Sequence, residues 1–87
     1  MVNSAYTKSG VTPASPPMIE RVARAIARNL GDADWQAYME AARAAVQAMR
    51  QPTVEMLEAA LPDAPDWGYL PKDWQRMIDH VVNEPLN

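Results

Sequence analysis

Apolar residues recur with helical spacing four times along this chain. Ile19, Val22, Ala23, Ile26 and Leu30 fall at i, i+3, i+4, i+7 and i+11, which puts them on one stripe of an α-helix. Trp35, Tyr38, Met39, Ala42, Val46 and Met49 form a second stripe, and Val54, Leu57 and Leu61 a third, shorter one. A fourth carries Trp74, Met77, Ile78, Val81 and Val82. No stretch alternates apolar and polar residues as a half-buried strand does, so the pattern predicts an all-α fold with four helices.

Local punctuation sets the expected ends. Ser15 before Pro16 reads as a helix start, with a hydroxyl for the exposed amides and a proline where no donor is needed. Asn29 and Gly31 tolerate the left-handed conformation that closes helices. Asp32 or Asp34 is the expected cap of the second helix, and Ala37, Ala41, Ala42, Ala44, Ala45 and Ala48 favour that helix and let a neighbour approach closely. Thr53 caps the third helix, Pro62 and Pro65 stop it, Pro71 opens the fourth and Pro85 ends it. The expected helices are therefore 16–30, 34–50, 53–61 and 71–83. They lie in a single domain over 16–84, after an extended Ser/Thr/Pro-rich arm over 1–15. A chain of 87 residues is long enough for one small core only, near the margin at which burial offsets chain entropy.

Two stretches read as copies of one unit. Pro17-Met18-Ile19-Glu20 is echoed by Glu55-Met56-Leu57-Glu58, and Asp34-Trp35-Gln36 by Asp73-Trp74-Gln75, at an offset of 38 or 39 residues. A duplicated unit predicts two helix pairs packed face to face, with Trp35 and Trp74 meeting in the core near a pseudo-twofold axis.

Charge and residue inventory narrow the function. The absence of cysteine excludes disulfides and thiolate-bound zinc, and a net charge of −3 gives no general attraction to phosphate backbones or anionic lipid. Met1 to Ser15 holds no apolar run long enough for a signal-peptide core or a membrane span, so neither secretion by that route nor membrane insertion is expected. Arg21, Arg24 and Arg28 line one face of the first helix, and Arg43 and Arg50 form a second row. Such rows can track phosphates, but Glu20 stands four residues from Arg24 and Glu40 three from Arg43, as on an ordinary solvated face. A small nucleic-acid-binding regulator is thus a lesser expectation.

Catalysis is not expected. His80 lies on the polar side of the fourth helix without a partner to orient it, and Asp63, Asp66 and Asp73 suit turn formation and capping better than paired acid/base work. No phosphate-cradling glycine motif, metal-ligand spacing or nucleophile–histidine set is present, and no cofactor is expected. The stronger candidate is the loop Asp63 to Leu70. Trp67, Tyr69 and Leu70 sit there among Pro65, Gly68 and Pro71, either folded back as a lid or projecting as an anchor for another protein. The arm adds Tyr6 and Val11, which need a partner's surface to become ordered.

The stretch Arg50-Gln51-Pro52-Thr53-Val54-Glu55-Met56-Leu57-Glu58-Ala59, together with Trp74-Gln75-Arg76-Met77-Ile78-Asp79, resembles a pattern found in small phage and prophage proteins of proteobacteria with no assigned function. The aromatic-led, Ala/Arg-rich segment Trp35 to Arg50 fits the same pattern, so the resemblance spans about residues 16–83. It implies a phage-encoded helical accessory protein and carries no catalytic residues with it. The expectation is a non-enzymatic module that binds another protein, in the virion or the host cytoplasm, with self-association possible. As a virion-associated component it would dock through its arm and aromatic loop. The alternative is a host-takeover factor that inhibits a bacterial defence complex in the manner of an anti-CRISPR protein.

Overall fold

A computed structural model of the chain describes residues 16–85. The expected all-α fold is present: α1 is Met18–Asn29, α2 is Met39–Gln47 after a single 3-10 turn at Trp35–Tyr38, α3 is Val54–Ala60 and α4 is Leu70–Val82. Among the described residues there is no strand.

The α1 stripe supplies the centre of the core. Ile19 and Ala23 are wholly buried and Ala27 nearly so, and across from them lie Met39, Ala42 and Val46 of α2. Alanines on both sides let the two helices approach closely. The 3-10 turn packs on α1 as well, and α4 crosses α2 and reaches α1 through Ile78. Val22, Ile26, Trp35, Tyr38, Trp74, Val81 and Val82 close over this cluster at its edges. α3 stands outside that packing and buries only Leu57 from its own seven residues.

Several ends are made as their residues predict. Gly31 has φ 72 and closes α1 in a Schellman turn, in which the Asp32 amide donates to Ala27 O at 2.9 Å and the Gly31 amide to Arg28 O at 3.2 Å. The Thr53 hydroxyl accepts the Met56 amide at 3.1 Å and caps α3.

Others are corrected. Ser15 lies outside the described residues, and the α1 amide donor that is satisfied by a side chain is Ile19 N–H, which donates to Glu84 Oε1 at 3.1 Å. That carboxylate comes from the chain just past α4, where it also suits the positive end of the helix dipole. Neither Asp32 nor Asp34 caps α2: Asp32 accepts the Asp34 amide at 2.9 Å and the Tyr38 hydroxyl at 2.8 Å. Holding Tyr38 back in this way accompanies a tighter 3-10 turn where a first α-helical turn is expected from sequence.

The apolar stripes are also shorter than their periodicity suggests. Leu30 and Met49 are exposed because each lies beyond the last turn of its helix, and Met77 is exposed on the outer side of α4. Val54 and Leu61, expected beside Leu57 on a buried face, are 60% and 42% exposed. A helix with no partner helix alongside it cannot cover a whole stripe.

The structure does not confirm the two-unit repeat. α1 and α2 form an intimate pair, whereas α3 and α4 form no comparable contact. Trp35 lies in the 3-10 turn beneath the Arg24 guanidinium, while Trp74 lies within α4 and bonds to the chain ahead of α3. The two tryptophans thus border one core from unlike settings.

Candidate functional site

The gap left by α3's loose association is the most distinctive surface among the described residues. Pro52, Met56, Leu57 and Ala60 on one side and Leu70 and Trp74 on the other line an open cleft of about 130 Å³. The geometry follows from helical spacing. Met56 and Ala60 lie at i and i+4 on α3, Leu70 and Trp74 at i and i+4 on α4, so one turn of each helix faces the gap.

Three consecutive residues ahead of α3 hold it at this position. Trp74 Nε1–H donates to Met49 O at 2.7 Å, which satisfies the indole's single donor and fixes its ring plane. Arg50 makes a two-pronged ion pair with Asp79, at 2.8 Å from Nε and 3.2 Å from Nη2. Gln75 Nε2 donates to Gln51 Oε1 at 3.2 Å. The turn between α2 and α3 is therefore fastened to α4 by side chains, while Val54, Met56 and Leu61 around the buried Leu57 stay exposed. The Arg50 guanidinium beside Asp79 holds that carboxyl below the usual carboxylate range, and the carboxylate in turn raises Arg50.

The loop candidates separate in space. Leu70 lines the cleft. Tyr69, one residue earlier, is 77% exposed and projects at the entrance to α4. Trp67 is half-buried, with its Nε1–H enclosed and without an acceptor among the described residues, so Trp67 is turned inward while Tyr69 faces solvent. The turn that separates them is built by Asp66, whose carboxylate accepts the Gly68 amide at 2.9 Å, and by Gly68 itself at φ 53. Asp63 adopts φ 60 and donates its amide to Glu58 at 2.8 Å, and Asp73 pairs with Arg76. Tyr6 and Val11 lie outside the described residues.

Arg21, Arg24 and Arg28 are all exposed on α1, whereas the second row loses Arg50. Arg24 is held by Glu20 at 2.7 Å and rests 4.5 Å from the centre of the Trp35 ring, a cation–π contact. Arg43 pairs with Glu40. Arg50 lies beyond the end of α2 and turns toward α4. Arg21 and Arg28 remain on the outer face of α1, where Arg28 joins Arg24, Ala27, Asp32, Ala33 and Trp35 around a shallow cavity of about 190 Å³. Asp32 there is held ionised by the Asp34 amide and the Tyr38 hydroxyl, which lower its pKa, and the Tyr38 hydroxyl is raised in return. Among the described residues, no three His, Asp or Glu side chains gather as metal ligands, and no helix is long and apolar enough to cross a membrane. His80 is exposed, 3.9 Å from Glu84.

Of the cleft's lining residues besides Leu70, the sequence pattern assigns Met56 to the repeat and Leu57 and Trp74 to the core, and it does not single out Pro52 or Ala60. The available signal was the brevity of α3: seven residues between Thr53 and Leu61 cannot both bury a stripe and span a bundle. No protein-family model matches this chain, and no curated protein or solved structure matches it at a significant level.

Proposed function

We propose that this chain is a phage-type accessory protein that acts by binding another protein, most directly as a virion-associated component, through the cleft between α3 and α4 and the exposed Tyr69 beside it. The observation that carries this is the apolar cleft itself. Met56, Leu70 and Trp74 line it, and Leu61 and Tyr69, next in sequence to Ala60 and Leu70 of the lining, are exposed as well. Contiguous exposed apolar surface on a small domain marks an interaction site more often than chance scatter does. Ordering costs at such a site are low, because the indole of Trp74 is already fixed by Met49 and the turn before Tyr69 by Asp66. The phage assignment rests on the resemblance of Arg50 to Ala59 and Trp74 to Asp79 to small phage proteins.

The test compares wild type with Ala60→Phe, which fills the cleft from an exposed position at the end of α3. Purified particles from cells producing each form are analysed by mass spectrometry. Wild type is expected in the particles and the variant depleted at least tenfold, with unchanged circular dichroism. Equal incorporation, or absence of both forms, counts against the virion role.

A further inference from the structure

The chemistry of the cleft also selects its occupant. Its volume of about 130 Å³ is near that of a cavity that takes benzene, a size that suits one branched aliphatic or aromatic side chain. Met56 in the lining is unbranched and polarizable, and so adapts to an incoming apolar surface. The residues that line the cleft from α3 and α4 have their main chain committed to helix, so no strand edge is offered and recognition runs through side chains, as when a helix lies in a groove.

Charge decides the rest. Residues 51–85, which supply the whole cleft, carry seven carboxylates against two cations, Lys72 and Arg76. With Asp73 paired to Arg76, Asp79 to Arg50 and Glu84 accepting the Ile19 amide, Glu55, Glu58, Asp63 and Asp66 remain against Lys72. The remaining arginines sit in residues 16–50, and Arg50, the one that reaches this half, is occupied by Asp79. Within a Debye length of about 8–10 Å, an occupant bearing Lys or Arg is drawn to this surface and an acidic one is repelled. Two copies meeting cleft to cleft would set these carboxylates against each other. Resting on the protein-binding function above, we propose that the cleft between α3 and α4 takes the apolar anchor of a basic amphipathic helix belonging to a partner protein.

The experiment follows the indole N–H signals of the full-length ¹⁵N-labelled protein during titration with two synthetic amphipathic peptides. Both carry Leu at helical spacing, one with Lys and the other with Glu at every polar position. The Lys peptide is expected to shift the Trp74 signal saturably at micromolar concentrations, at least tenfold more tightly than the Glu peptide. Added salt should weaken it, and Ala60→Phe should abolish the shift while the remaining spectrum stays folded. Equal binding of both peptides overturns the proposal, as does a shift centred on Trp35. So does a Trp74 signal that moves with protein concentration alone, which would make a second copy the occupant, or one that moves when residues 1–15 are deleted, which would make it the arm. Failure of the Lys peptide while Ala60→Phe still depletes the protein from particles removes the basic helix and leaves the protein-binding function standing. Normal incorporation of Ala60→Phe removes both.

Discussion

The Trp74 indole donates its N–H to the carbonyl oxygen of Met49 at 2.7 Å, across 25 positions of sequence. This bond joins the turn after α2 to the first turns of α4, and the indole is a wall of the apolar cleft. With Arg50–Asp79 and Gln51–Gln75 it forms the hinge side of the site. α3 is thereby positioned without being buried, which is the condition for an exposed apolar surface on a domain this small.

Core substitutions should be costly. Ile19 is wholly buried and Ile78 is 7% exposed, and truncation to alanine at either position is expected to lose about 3 kcal/mol through lost burial and a residual cavity. Chemical denaturation of Ile19→Ala and Ile78→Ala checks this. Stability within 1 kcal/mol of wild type would place the core elsewhere.

The fold should weaken in acid through two named carboxylates. Asp79, bonded to Arg50, and Asp32, bonded to the Asp34 amide and the Tyr38 hydroxyl, both have pKa values lowered from 3.8. A folded value below the unfolded one contributes stability above the unfolded pKa, and that contribution is lost as pH falls through the folded value. Melting temperature should therefore fall as pH drops below about 4, and the double variant Asp32→Asn, Asp79→Asn should show a shallower decline from a lower plateau. An identical acid profile would assign the loss to other groups.

Gly31 tests the end of α1. A Cβ at this residue would meet nothing within 4 Å, so the cost of Gly31→Ala arises from its φ of 72 alone and is expected at about 1 kcal/mol. Gly31→Asn should recover much of this, since asparagine tolerates the left-handed region. Equal losses for both variants would point to packing instead of backbone conformation.

Glu84 links the two chain ends of the helical domain. Glu84→Ala removes the acceptor of the Ile19 amide and is expected to cost about 1 kcal/mol, with Glu84→Gln retaining most of the bond. Hydrogen exchange at Ile19 reads the effect directly: protection should fall in the alanine variant and persist in the glutamine one.

What was legible in the sequence was local. Thr53 as a cap, Gly31 as a stop and the Ile19–Ala23–Ile26 stripe each follow from a few neighbouring residues, and the all-α fold follows from the periodicity of all four stripes. What was not legible depends on contacts distant along the chain. Glu84 reaches Ile19 across 65 positions, and Arg50 reaches Asp79 across 29, taking an arginine out of an apparent row. Periodicity alone cannot say that α3 lacks a partner, which is why Val54 and Leu61 read as core and emerge exposed. The candidate loop was found through its aromatic and turn residues, but only Leu70 of those reaches the cleft; Trp74 and Met56 resemble core residues in any one-dimensional pattern.

The central claim is that the α3–α4 cleft binds a partner protein, and the most direct measurement is association of wild type and Ala60→Phe with purified, separated particle proteins by biolayer interferometry. Wild type should bind one of those proteins saturably, and Ala60→Phe should lose at least tenfold in affinity while melting within a few degrees of wild type. Equal affinity of the two forms would contradict the account.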